Sequence, residues 1–170
     1  PGYDHPVLVR KSEEPGSKQK LAFAHGRHRS VCYDMVNHLI DDIIVMGAAP
    51  VSIQDIIVCG TMDGNIVNDL VDAMADACRL QDCTLTGGET SIQPGVVPDG
   101  LYVLTASVIG VVDKDKIVDG SQIKAGDQVL ALASNGLHTN GYTLVRALLE
   151  QQPNLLERDV EGVSFLDAVL

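Results

Sequence analysis

The residues of this chain best suited to chemistry fall in four short segments. In the first, Asp41 and Asp42 are adjacent carboxylates, and His38 stands four positions before Asp42. Positions i and i+4 share a helix face, so His38 and Asp42 can reach one ligand. Carboxylates near a helix C-terminus repel each other and the negative end of the dipole. A magnesium ion or a nearby Lys would offset that; a solvated polar face is the alternative. The second segment is Gly87-Gly88-Glu89-Thr90. Paired glycines let a backbone turn sharply and approach a ligand closely, and Glu89 offers an oxygen to a metal or a proton; a plain strand-end turn is the alternative. The third is Ser134 to Gly141, where His138 could serve as donor or base. Free amides at the start of a following helix attract phosphate, although Gly-containing turns into helices are common. The fourth is Gly16-Ser17-Lys18, a hydroxyl beside a cation without P-loop spacing, which otherwise reads as a surface loop.

The elements that must position these groups are legible from periodicity. Pro6 to Arg10 reads as a strand, followed by a charged turn from Lys11 to Lys18. Val31, Met35, Val36, Leu39, Ile40, Ile43 and Ile44 form a helical stripe, with Ser30 or Asp34 as cap and Gly47 as stop. Asp34, Asn37, His38, Asp41 and Asp42 make its other, acidic face. Val51 to Val58 reads as a strand, 63–80 as a second amphipathic helix, and Cys83 to Thr86 as a short strand running into the paired glycines. Leu101 to Val112 is a long strand, Gln128 to Ala133 another, and Tyr142 to Glu150 a helix. This order predicts an α/β protein with a mixed sheet covered by helices. A domain boundary is expected in the charged, turn-rich stretch after Val112, giving residues 1–113 and 114–170. The last third cannot close a core of its own.

Composition narrows the function. The 170 residues carry 12 Lys plus Arg against 23 Asp plus Glu, a net charge of −11, which disfavours binding to nucleic acid. The same excess suits divalent cations, which prefer carboxylate oxygens. With 45% hydrophobic residues the chain can bury a core, and no stretch reaches the roughly 18 apolar residues of a membrane span. Cys32, Cys59, Cys78 and Cys83 form no Cys-x-x-Cys pair and read as buried free thiols of a reducing, cytoplasmic compartment. No signal peptide is expected in Pro1 to Glu14. A start at Pro1 and an apolar end at Ala168-Val169-Leu170 look like cut ends.

Taken in order, the segments resemble aminoimidazole ribonucleotide synthetases, the phosphoribosylformylglycinamidine cyclo-ligases of purine biosynthesis. The resemblance rests on Pro6-Val7-Leu8-Val9, Gly16 to Phe23, Asp42 to Pro50, Gly87-Gly88-Glu89-Thr90, Gly110-Val111-Val112, Asp119-Gly120-Ser121 and Gly136 to Arg146. It covers nearly the whole chain, although the family's proteins are about twice as long. It implies an N-terminal domain whose sheet pairs with that of a twin in a barrel-like homodimer, with ATP and Mg2+ in a groove between domains. The implied reaction closes the ring of a small-molecule nucleotide substrate after phosphorylation of its formyl oxygen, releasing ADP and phosphate. Other ATP-using members of the superfamily (selenophosphate synthetases, thiamine-phosphate kinases and hydrogenase-maturation enzymes) are alternatives, as is a non-catalytic nucleotide-binding or dimerising homologue.

Residue by residue, the resemblance assigns metal binding to Asp42, Glu89 and Glu13. It assigns catalysis to His138, Lys18 and Glu89, and nucleotide or phosphate contacts to Lys18, Ser17, Gly87, Gly88, Asn140 and Gly141. Asp42, Glu89 and Lys18 are thereby expected to gather in one cradle. The family's Thr-Asp-Gly-Val-Gly-Thr-Lys is replaced by Ser12-Glu13-Glu14-Pro15-Gly16-Ser17-Lys18, and Asp41 stands where Asn is usual. Most of the second domain is absent, so the fragment alone is expected to be inactive.

Overall fold

The computed structural model describes residues 2–170. Four strands form one mixed sheet: β1 (Pro6–Glu13), β2 (Ala49–Cys59), β3 (Thr84–Ile92) and β4 (Tyr102–Asp113), in the order β1-β4-β2-β3. β4 runs antiparallel to both β1 and β2, while β2 and β3 are parallel and joined through a helix. A parallel pair needs such a crossover, because a tight turn cannot reverse the chain twice.

Helices α2 (His28–Ile44) and α3 (Gly64–Leu80) pack together over one face of the sheet. The expected stripe of α2 is buried from Val31 to Ile43, and Ile44 alone turns outward. Each such fully buried side chain is worth about 1.5–3 kcal/mol of transfer free energy. Asp63 caps α3 by accepting from the amides of Asn65 and Ile66. Gly47, at φ 81°, ends the turn after α2 in the left-handed region that glycine tolerates. Among the described residues no helix covers the opposite face of the sheet, which leaves Leu8, Ile56 and Val103 exposed.

The chain departs from the sequence reading in five places. β1 continues through Lys11 and Glu13, because β4 is long enough to pair with it as far as Ala106. Residues 18–24 form a short helix, α1 (Lys18–Ala24), that local periodicity is too short to announce. α2 begins at His28, and the Ser30 hydroxyl donates back to the Arg27 carbonyl instead of capping. β3 does not turn at the glycines but runs on to Ile92. Residues 128–133 are not a strand: no described strand lies beside them, and Val129, Leu130 and Leu132 are 95%, 91% and 99% exposed.

Beyond β4 the chain carries α4 (Tyr142–Gln151), a two-residue hairpin of β5 (Asp159–Val160) with β6 (Val163–Ser164), and α5 (Phe165–Val169). Tyr142, Val145 and Val169 cluster with Leu21 of α1 as a second, smaller core.

The paired glycines are explained by strand packing. Thr86 is an extra residue in β3, and Gly87 absorbs the bulge at φ 140°. Gly88 pairs with Asp55 so closely that an added methyl would overlap its carbonyl oxygen and lie 2.6 Å from Oδ1. Gly88→Ala should therefore lower stability by about 1–3 kcal/mol in urea unfolding. Thr90→Ala, at an exposed position of the same strand, should stay within about 0.5 kcal/mol. An unchanged midpoint for Gly88→Ala would contradict the close approach.

Candidate functional site

Side chains alternate along β1, so Lys11 and Glu13 both lie on the helix-covered side of the sheet. Above them, α2 presents Asp34, His38 and Asp42 at i, i+4 and i+8, one continuous stripe. The two elements meet at a mixed cluster. His38 Nε2 lies 3.9 Å from Glu13 Oε2 and 3.8 Å from Asp42 Oδ2. Ligand atoms from Glu13, His38 and Asp42 all fall within 4.8 Å of one another. Lys11 Nζ bridges the two acids, 2.8 Å from Asp42 Oδ2 and 3.1 Å from Glu13 Oε2. The amide of Glu14, and then Lys11, hold the Glu13 carboxyl below its usual range.

The donor set suits a divalent cation. Two carboxylate oxygens suit a hard ion such as Mg2+, whose other positions water and phosphate fill, and the imidazole nitrogen extends the set towards Mn2+ or Zn2+. The Lys11 ammonium already stands where positive charge is wanted. With side chains of Glu13, His38 and Asp42 27%, 23% and 37% exposed, an ion can arrive from solvent.

A second set of contacts brings the segment before α4 to the same helix stripe. Lys18, only 2% exposed, places Nζ 2.5 Å from Asp34 Oδ2 and 3.1 Å from the His138 carbonyl oxygen. The ammonium also lies 5.1 Å from the centre of the Tyr142 ring. Burial pushes the Asp34 carboxyl up, against the opposing pull of Lys18. One residue along, the Thr139 hydroxyl shares a 2.8 Å hydrogen bond with His38 Nδ1. That bond commits Nδ1 and turns Nε2 towards Glu13 and Asp42. Gly141, at φ 88°, then starts α4.

Between α2 and this segment lies a cavity of about 450 Å3, bordered by Asp34, His38, Asp41, His138 and Asn140. It adjoins the acid–histidine cluster through His38. A larger cavity of about 520 Å3, walled by Phe23, Ile66, Val67, Leu70 and Tyr102, is mainly apolar and has Asp63 already engaged as a cap. The smaller cavity is therefore the one lined mainly by polar and ionisable groups.

Some sequence-predicted residues converge and others do not. Glu13 and Asp42 come together, as do His38 and Asp42, while His138 and Asn140 border the adjoining cavity. Ser17 precedes α1 without capping it, and Lys18 is turned into the protein. Glu89 does not join them within this chain. The Thr86 bulge pairs Glu89 with Ile56 rather than Ile57, which puts it on the open face of the sheet. β3 is also the far edge from β1, three strand spacings or about 14 Å away. Gly87 and Gly88 belong to that same distant strand. Lys11, Asp34 and Thr139 are site residues that the sequence reading did not single out. Asp34 had a signal, since it is one helical turn before His38; Lys11 and Thr139 had none without the tertiary pairing.

The cysteines play no part here. All four are free, and burial pushes the Cys32 and Cys78 thiols up to about 12, which keeps them unreactive.

Residues 16–112 match the family described as AIR synthase related protein, N-terminal domain. The chain belongs to that family. It is 43% identical over 168 residues to a phosphoribosylformylglycinamidine cyclo-ligase of Paraburkholderia phymatum, covering 99% of this chain and 47% of the relative. The chain thus spans about half the length of the curated relatives it matches. Among solved structures it resembles T. maritima PurL complexed with AMPPCP, with TM-score 0.56 and 21% identity over 68% of this chain and 18% of that one. It also resembles hydrogenase maturation protein HypE in complex with ATP, with TM-score 0.53 and 17% identity over 74% of this chain and 36% of that one. At those identities the likeness establishes the fold.

The tie between Lys18 and Asp34 is testable by a double-mutant cycle. Lys18→Met leaves the half-buried Asp34 carboxylate without its counter-charge and should cost about 2–3 kcal/mol in unfolding free energy. Lys18→Met with Asp34→Asn should cost clearly less than the two single changes summed. Strict additivity would mean that the pair does not interact.

Proposed function

We propose that this chain is the nucleotide-binding half of a phosphoribosylformylglycinamidine cyclo-ligase. The reaction class is ATP-dependent ring closure of formylglycinamidine ribonucleotide to aminoimidazole ribonucleotide, with release of ADP and phosphate. The observation that carries the reading is the convergence of Glu13, His38 and Asp42 beside the cavity bordered by His138 and Asn140. The relatives' shared name supports the substrate, and the nucleotide-bound superfamily structures support ATP.

In this reading Glu13, Asp42 and His38 would hold Mg2+, which when bound would supply the positive charge that phosphoryl transfer from a polyphosphate needs. His38 keeps Nε2 on the cation side because Thr139 engages Nδ1. His138 and Asn140 meet the phosphate or the substrate from the far side of the cavity. His138 is oriented by Ser134 Oγ, 3.4 Å from its Nε2, and by the hold of Lys18 on its carbonyl. Lys18, expected to face phosphate, is committed to Asp34 and acts first as the tie that places this segment. Gly141 sets the start of α4 below it.

Glu89 enters the same account through a second copy. The helix-free face of the sheet, with Leu8, Ile56 and Val103 exposed, is the surface on which a homodimer would form, and Glu89 lies on that face. The division into residues 1–113 and 114–170, with the remainder of the second domain supplied by the rest of the protein, belongs to this proposal. So does a cytoplasmic location; no described helix is long and apolar enough to cross a membrane.

The deciding experiment gives full-length protein formylglycinamidine ribonucleotide, ATP and Mg2+, and measures ADP together with the closed imidazole. Turnover of both in equal amounts is expected. Asp42→Asn should raise the Mg2+ concentration needed for half-maximal activity about tenfold or more, with the fold retained by circular dichroism. Wild-type protein that forms no imidazole would overturn the assignment, and an unchanged Mg2+ requirement in Asp42→Asn would remove Asp42 from the metal site.

A further inference from the structure

Lys11 occupies a position that the proposed chemistry does not use. It lies two residues before Glu13 on the same face of β1, and its ammonium touches both carboxylates of the donor set, 2.8 Å from Asp42 and 3.1 Å from Glu13. These are the oxygens a divalent cation would take. An ammonium and a metal ion compete for the same lone pairs and repel each other at this range. We propose that Lys11 is the internal counter-cation of this site: its ammonium holds Glu13 and Asp42 together in the metal-free protein, and a divalent cation enters by displacing it. The inference rests on the reading of Glu13, His38 and Asp42 as a cation site.

Three features carry it. Asp41 and Asp42 stand in the last turn of α2, where the helix dipole disfavours negative charge, so an empty site needs a cation to stay assembled. Lys11 supplies it from another element, which ties β1 to the end of α2. The ammonium is also suited to leave. It is a compact, strongly hydrated charge on a flexible stem, its side chain is 36% exposed, and both its salt-bridge partners belong to the donor set. His38 stays behind, held by Thr139, so the site keeps a fixed nitrogen while the cation is exchanged. Lys11 thus sets the affinity of the site without contacting the substrate, and lowers it relative to the same acids without Lys11.

Mn2+ titration of the full-length protein, followed by the electron paramagnetic resonance of free Mn2+, reads this directly. Lys11→Met and Lys11→Gln should each bind Mn2+ about tenfold more tightly than wild type, from removal of one positive charge within contact distance. Lys11→Arg, which keeps the charge, should bind no more tightly than wild type. Glu13→Gln should lose the site. Equal dissociation constants for wild type, Lys11→Met and Lys11→Gln, with binding still abolished in Glu13→Gln, would overturn the exchange and leave the cation site standing. No stoichiometric Mn2+ binding by wild type or either neutral variant would overturn both.

Discussion

One buried cation organises this molecule. Lys18 begins α1, yet its ammonium is spent on Asp34 of α2, the His138 carbonyl and the face of the Tyr142 ring. Those three partners come from the first quarter of the chain and from its last third. A buried ammonium must be paired, since desolvation of a lone charge costs several kcal/mol. That requirement fixes where the segment before α4 can lie. It must run along the acidic stripe of α2, and in doing so it delivers Thr139 to His38 and His138 to the cavity edge.

The same stripe serves two purposes at its two ends. Near its start Asp34 is half-buried and tied to Lys18; near its end Asp42, somewhat more open, joins Glu13 and His38. Between them His38 belongs to both halves, bonded to Thr139 through one nitrogen and facing the acids with the other. A change in how the 134–141 segment sits would therefore be felt at Glu13 and Asp42 through a single imidazole. The sheet contributes the other wall: β1 is pinned to β4 through residue 13, so Glu13 is carried on a paired strand and not on a loose turn.

Much of the frame was legible in the sequence because it depends on local periodicity. The stripes of α2 and α3 and the long apolar run of β4 announce themselves. His38 and Asp42 were legible as a pair for the same reason, since helical spacing alone brings them together. What local pattern could not supply was pairing between distant segments. Lys11-Ser12-Glu13 reads as a charged turn until β4 is seen beside it. Residues 128–133 have the composition of a strand but no described neighbour to bond with, so they remain irregular and exposed. Glu89 was grouped with Asp42 and Lys18, but its side of the sheet is decided by one extra residue at Thr86, and a one-residue shift reverses every side chain beyond it. Family resemblance supplied the chemistry; the register decides which residues of one chain share it.

The central claim is that the Lys18 ammonium holds the last third of the chain against α2. Hydrogen–deuterium exchange of Lys18→Met measures this most directly, because it separates local release from global unfolding. Amides of α4 should lose protection by about tenfold or more, while those pairing β2 with β4 keep theirs. Unaltered protection across α4 would show that the segment is held by its apolar contacts with α1 alone, and the buried cation would lose its organising role.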